Sequence, residues 1–290
     1  MSLSILTNVS AMDTHRNLQA SSNAVKTAMQ RLSSGLRINS AADDAAGYAI
    51  AQGLTSQVNG FDQASRNVSD ATSMVQTASS ALNNVQSMLQ RISELAVQYS
   101  NGDLSSQDQT NIQSEVDQLT QEIARQQGSI QFNGLNLLDG TAGTAGVGVT
   151  FQVGPQSTDT LTVSFANVET TALTSANGFT GSFSASGTPA TVFNLSTLGS
   201  AAVSDINAAI NAISTMAATL GAVQNRLQYT ATAISVTEEN MSSSLSNIQD
   251  VDMASEMTKM TQQQVLQQAG TAMLAQANSQ PQLVLKLITG

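Results

Sequence analysis

The sequence predicts a mainly α protein: a long antiparallel helical bundle or coiled coil formed by N- and C-terminal segments, with a small β-hairpin inserted between them. Three observations carry that expectation. Apolar residues recur at every seventh position over two long stretches near opposite ends of the chain. The middle loses this period and alternates at period two instead. The composition also lacks what a compact enzyme needs. Of 290 residues, 10% are charged and 3% aromatic, none is Trp or Cys, and about two-fifths are Ser, Thr, Asn or Gln. An average soluble domain carries about 25% charged residues.

The first element is an amphipathic helix with Leu18, Val25 and Leu32 at heptad spacing and Met29 and Leu36 beside them. It cannot bury that stripe alone, so it needs a partner from the other terminus or from another chain. Next, Leu54, Phe61, Val68, Val75, Leu82, Leu89 and Ala96 are each seven apart, and Ala64, Ala71, Ala78, Val85 and Ile92 lie three residues after the first five of the series from Phe61 onward. This is an a/d seam, in which small Ala at d allows close helix approach. Asn101-Gly102-Asp103 closes the helix, and a shorter one follows with Ile112, Val116, Leu119 and Ile123 on one face.

From about 128 to 200, Gly, Ser and Thr dominate. Val147, Val149, Phe151 and Val153 alternate with small or polar residues, a turn follows at Gly154-Pro155, and Leu161, Val163 and Phe165 alternate again, which predicts a β-hairpin around 147–165. Residues 166–200 read as irregular. The C-terminal seam then runs through Ile206, Ile213, Leu220, Leu227, Ile234, Met241 and Ile248, with Ala209, Met216 and Val223 as d partners. At a rise of about 1.5 Å per residue, either seam spans roughly 60–65 Å. Two seams of matching length pack most simply as an antiparallel pair, and their 3.5-residue repeat gives a left-handed supercoil. Met253, Met257, Met260, Val265, Leu266, Met273 and Leu274 form a last amphipathic face, ahead of an apolar end at Leu283, Val284, Leu285, Leu287 and Ile288.

The same residues exclude several kinds of chemistry. A net charge of −10 with only ten Lys and Arg argues against partners such as nucleic acid or an anionic membrane. No unbroken apolar run reaches about 18 residues, so no membrane span is expected. Met1 to Ser10 lacks the basic and apolar regions of a secretory signal peptide. Without Cys there is no disulfide, thiolate metal site or Cys nucleophile. His15 is the one histidine and reads as a polar residue on a helix face. The glycines at 35, 47, 53 and 60 do not have phosphate-loop spacing. Asp43-Asp44 and Glu238-Glu239 are adjacent pairs that diverge on a helix, and they read as helix starts or solvated faces. No enzymatic activity and no cofactor or metal is expected.

The run Gln30-Arg-Leu-Ser-Ser-Gly-Leu-Arg-Ile-Asn-Ser-Ala-Ala-Asp-Asp-Ala-Ala-Gly47, followed by Tyr-Ala-Ile-Ala51, closely resembles the N-terminal signature of bacterial flagellins. Further matches follow in the family's order: Asn17-Leu18, Gln90 to Gln98, Phe132-Asn-Gly134, Leu137-Leu-Asp-Gly140, Phe151-Gln-Val-Gly154 and Ala275 to Leu287. Leu36, Ala42, Tyr48 and Ala49 depart from the signature as many flagellins carry it.

The resemblance implies a structural subunit of the flagellar filament, self-assembling into a helical tube for motility. A hook–filament junction protein is the alternative. It further implies an inner coiled-coil domain of residues 1–44 plus 245–290, disordered in the monomer, and an outer helical core domain of residues 45–244 carrying the hairpin. Only a short stretch separates Phe165 from the C-terminal seam, so separate outer variable domains should be missing. The chain should lie outside the cell, in the filament, exported by the flagellar type III route without a cleaved signal peptide. Its implied partners are copies of itself, the flagellar export chaperone, cap and junction proteins, and host innate immune receptors.

Twelve residues are read as the seams on which polymerisation rests: Leu54, Phe61, Val68, Val75, Leu82, Leu89, Ile213, Leu220, Leu227, Ile234, Met241 and Ile248. Gln90, Arg91, Leu95, Gln98 and Glu115 are similar to the segment that the vertebrate Toll-like flagellin receptor binds. The spacing of Arg91, Leu95 and Gln98 places them on one helix face, expected to be free of the seam. Gln30, Arg31, Leu32, Arg37, Ile38, Asn39, Asp43 and Asp44 lie in the stretch that resembles the peptide sensed by plant flagellin receptors.

Overall fold

A computed structural model describes residues 8–142, 148–165, 167–168, 193, 195 and 201–289, with backbone alone at 201 and 281–289. Among the described residues, five named helices and four short strands follow in chain order. They are α1 (Val9–Ser34), α2 (Ala45–Tyr99), α3 (Ser106–Ser129), β1 (Gln131–Phe132), β2 (Leu135–Asn136), β3 (Val149–Gln152), β4 (Thr160–Val163), α4 (Ala201–Gln249) and α5 (Met253–Thr289). The mainly α architecture and the β insertion expected from the periodicity are both present. The irregular stretch expected at 166–200 lies outside the described residues apart from 167–168, 193 and 195, as does Val147 at the start of the expected hairpin.

The chain divides into two compact units, residues 1–58 with 239–290 and residues 59–238. These limits lie at 58/59 and 238/239, where the sequence-based expectation put them at 44/45 and 244/245. Helices α2 and α4 contribute residues to both units.

In residues 59–238 one apolar core joins α2, α3, the strands and α4. On α2 the a and d positions are buried as expected, from Ala64 and Val68 to Ile92 and Ala96. Met74, Ala81 and Leu95, each one residue before an a position, are buried as well. Three buried positions per heptad make a wider stripe than a two-helix seam. The reason is that α2 serves more than one neighbour, and Arg91 on α2 meets Glu115 on α3 at 2.9 Å. Ser105 and Asp108 form a capping box that starts α3, which then buries Ile112, Val116, Thr120, Ile123 and Gln127.

The expected hairpin is β3–β4, antiparallel, with Val149 opposite Val163 and Phe151 opposite Leu161. Leu161 and Val163 face the core, and Thr150 and Thr162 share a hydrogen bond on the outer side. A second hairpin, β1–β2, was not anticipated from period alone, because its strands hold two residues each. It turns through Asn133-Gly134, both at positive φ (49° and 79°), the pairing that a tight two-residue hairpin turn favours.

An 18-residue window within Ala202–Gln249 is long and apolar enough, by length and composition, to cross a membrane. The unbroken-run criterion missed it, because single polar residues interrupt the window. Its Ile206, Ala209, Ile213 and Leu220 are buried in the core, and about a third of the window is buried in all.

In the other unit α1 and α5 run antiparallel. Asn8 donates its side-chain amide to the Ala277 carbonyl at 2.9 Å, Gly270 lies against Leu18, and Arg31 lies 3.7 Å from Glu256. Partner numbers fall as α1 numbers rise, so one continuous pairing spans the length of α1. The turns that end the helices meet in the same unit. Leu36 bridges Asp250, the Arg37 amide donates to the Gln249 carbonyl at 2.6 Å, and the Val251 amide donates to the Gly35 carbonyl at 3.0 Å.

Candidate functional site

The turn between α1 and α2 is held by capping chemistry. Gly35 takes φ +74° and closes α1 with its amide on the Arg31 carbonyl, a left-handed cap that glycine adopts without strain. Asp43 then accepts from the amides of Asn39 and Ser40 and from the Ser40 hydroxyl. The hydrogen bonds from Ser40 hold its carboxyl below the usual aspartate range. Asp44 caps α2, accepting from the Gly47 amide at 2.9 Å. A methyl group on Gly47 would sit 2.5 Å from Asp44 Oδ2 and 2.7 Å from the Cδ1 of buried Ile38, so glycine leaves room for both. Across the junction Asp252 caps α5, accepting from Ala254 and Ser255.

The plant-receptor candidates fall on this junction. Gln30, Arg37, Asn39, Asp43 and Asp44 are exposed, Arg31 and Leu32 are half-buried, and Ile38 is 2% exposed. Arg37 uses its guanidinium on the Ile248 carbonyl at 2.5 Å. The stretch is therefore a folded corner.

The vertebrate-receptor candidates meet on the surface of α2 and α3, with one correction. Leu95 is 2% exposed and belongs to the core, so it is not on a face free of the seam. The cause is the extra buried position per heptad noted above. Gln90, Arg91, Gln98 and Glu115 are exposed. Arg91 bonds both Glu115 (2.9 Å) and Glu94 (3.0 Å), and those hydrogen bonds raise the guanidinium pKa further. Val97, 58% exposed, adds an apolar residue that sequence reasoning passed over.

The seam residues separate into two groups. Val68, Val75, Leu82, Leu89, Ile213, Leu220, Leu227 and Ile234 are buried in the subunit's own core. Any part they take in polymerisation is indirect, through the rigidity of the subunit, and they offer no surface to a neighbour. Leu54, Phe61, Met241 and Ile248 are half-buried.

Among the described residues, most of the exposed large apolar side chains are on α1 and α5. Val9, Met12, Met29, Met253, Met257, Val265, Leu266 and Met273 are 47–65% exposed, although they sit on paired helices. Each helix has apolar residues around more of its circumference than one partner can cover. Tyr229 on α4, 78% exposed, is a further large side chain without cover.

Comparison with known proteins gives the family. The bacterial flagellin N-terminal helical region matches residues 5–143, and the bacterial flagellin C-terminal helical region matches residues 203–288. A flagellin of Halalkalibacterium halodurans is 42% identical over 97% of this chain and 98% of that protein. A flagellin of Bacillus subtilis is 38% identical over the same shares. A flagellar filament 33 kDa core protein of Treponema phagedenis is 39% identical, again over 97% and 98%. Among solved structures, one described as a flagellar hook-associated protein from Vibrio parahaemolyticus shares the fold, with a TM-score of 0.55 and 16% identity over 72% of this chain and all of that one. The matching regions include the junction, the α2–α3 face and the α1 and α5 surface, and the chain belongs to the bacterial flagellin family.

Proposed function

We infer that the chain is a structural subunit of the bacterial flagellar filament, outside the cell, and not an enzyme. Membership in the flagellin family supports this, and one structural observation carries it: the paired α1 and α5 leave eight large apolar residues exposed. Large apolar side chains gathered on one pair of helices and left uncovered are the mark of a surface that another protein covers. A surface of this kind that meets a different patch on the next copy, without closing a ring, propagates as an open helix. Copies of the chain supply both patches.

The inner domain of residues 1–44 plus 245–290 orders on addition to the growing end, and residues 45–244 form the outer helical core. In support, the apolar part of the α1–α5 contact is thin, with Val25 and Ala28 the buried apolar residues of α1. Ordering at the growing end delays assembly until the subunit arrives. Export chaperone, cap and junction proteins are the partners this route needs. The exposed Gln90, Arg91, Gln98 and Glu115 are the face offered to a vertebrate receptor by monomers, and the 30–44 corner that offered to a plant receptor.

The test is seeded growth. The full chain should extend filament seeds, and the chain lacking 281–290 should stay soluble, partly helical and unable to extend them. Normal growth by the truncated chain would overturn the coupled-folding account. Sheared cell-surface material should contain the chain as the bulk filament protein; a few copies per filament would favour a junction protein instead.

A further inference from the structure

Helices α1 and α5 face each other with the same period. Ala11, Leu18, Val25 and Leu32 recur at seven on α1, with Thr14, Ser21 and Ala28 between them, and all are buried or half-buried. On α5 the covered rows are Glu256, Gln263, Gly270 and Ala277, with Met260, Gln267 and Leu274. A slide of seven residues therefore lays each row back onto itself. Most of these residues are small or amide-bearing, so apolar packing barely separates the native register from its neighbours.

Glu256 is the exception. It is 5% exposed, and the Arg31 guanidinium lies 3.7 Å away on the opposite helix. Lys259 also reaches it at 3.3 Å, but from its own helix, so it moves with Glu256 and cannot sense register. A one-heptad slide puts Ala24 or Ile38 opposite Glu256, and slides of three or four residues offer Thr27, Ala28, Ser34 or Gly35. None of these is a cation. A slide therefore leaves the buried carboxylate with Lys259 alone, and taking one cation from a buried charge costs more than that pairing gains when present.

We propose that Arg31 and Glu256 are positioning residues that set the register of the α1–α5 pair, and through it the spacing of the exposed apolar residues presented to neighbouring subunits. The proposal rests on the filament reading for its assay. The backbone bridge at Gly35–Arg37 and Gln249–Val251 adjoins one end of the pair, but its hydrogen bonds do not distinguish one residue type from another.

The chain has no cysteine, so introduced thiols report alone. A Cβ on Gly270 would lie 3.8 Å from that of Leu18, the mean separation for a disulfide. Chains carrying Leu18→Cys with Gly270→Cys, Ala277→Cys or Gln263→Cys are assembled with cysteine-free carrier in excess, then oxidised. The native pair should crosslink at least about tenfold more than either slipped pair, equivalent to about 1.4 kcal/mol. Adding Glu256→Gln should bring the slipped pairs within about threefold of the native one. Arg31→Glu with Glu256→Arg should restore the preference. A Glu256→Gln chain left out of filaments that the double reversal enters also supports the pairing. Unchanged crosslinking by Glu256→Gln would assign register to the backbone bridge and overturn the proposal, as would exclusion of both variants. Failure of the cysteine-free chain itself to form filaments would instead count against the filament reading.

Discussion

Leu227 gives the sharpest measure of the core. It is fully buried in α4, at an a position of the C-terminal seam. Leu227→Ala removes three carbons, about 2.4 kcal/mol at about 0.8 kcal/mol per buried carbon. A residual void of roughly 60 Å³ adds about 1.4 kcal/mol at about 24 cal/mol per Å³. The expected loss is therefore about 4 kcal/mol, within the range measured for buried leucines. For a cooperative unit the size of residues 59–238, that lowers the melting temperature by roughly 8–16 °C. Leu82→Ala should cost less, about 2–3 kcal/mol, because Leu82 already borders an open apolar cavity of about 350 Å³ with Leu138, Phe165 and Met216. Val236→Ala, at a site 52% exposed, should change stability by less than about 0.5 kcal/mol. Urea unfolding followed by circular dichroism reads all three. A Leu227→Ala cost below about 1 kcal/mol, or a Val236→Ala cost equal to it, would show that the α4 faces are wrongly assigned.

Gly148→Ala should disrupt the β3–β4 hairpin, since Gly148 has φ +90° and a Cβ there would collide with the Val163 carbonyl; loss of amide protection at 149–163 would show it. Asp43 should titrate below the ordinary 3.8 of an aspartate, because Ser40 bonds its ionised form. A lowered folded-state pKa means its contribution is present above the unfolded pKa and is lost as pH falls through the folded one. Asp43→Asn should therefore flatten the acid limb of protection at 39–47, measurable by hydrogen exchange. Arg91→Ala with Gln98→Ala should weaken monomer binding to the vertebrate receptor ectodomain while leaving the urea midpoint of unfolding nearly unchanged, since Arg91's ion pairs are half-exposed. Unchanged receptor binding would remove that face from the proposal.

Local pattern alone places the helices and most of their inward faces. Heptads such as Val68–Val75–Leu82–Leu89 and Ile213–Leu220–Leu227–Ile234 are legible because helical period is a local property, and all eight residues are buried. The β3–β4 hairpin was legible for the same reason, through alternation at Val149, Phe151, Leu161 and Val163. The exclusion of Cys and two-His chemistry needed only composition. The number of neighbours each helix has is a property of the folded chain and leaves no local pattern. Leu95 is placed on the surface by the a/d pattern of α2, but an added neighbour widens the buried stripe and takes it into the core. Arg91 and Glu115 were each singled out, yet only the fold brings them to 2.9 Å, because a separation of 24 residues has no local signature. Glu256 was overlooked although it occupies a heptad position of α5, since whether a polar heptad residue is buried depends on the partner helix. Arg31, distant in sequence, supplies the opposing charge at 3.7 Å. Period fixes which side of a helix is apolar, and tertiary contact fixes how much of that side is covered.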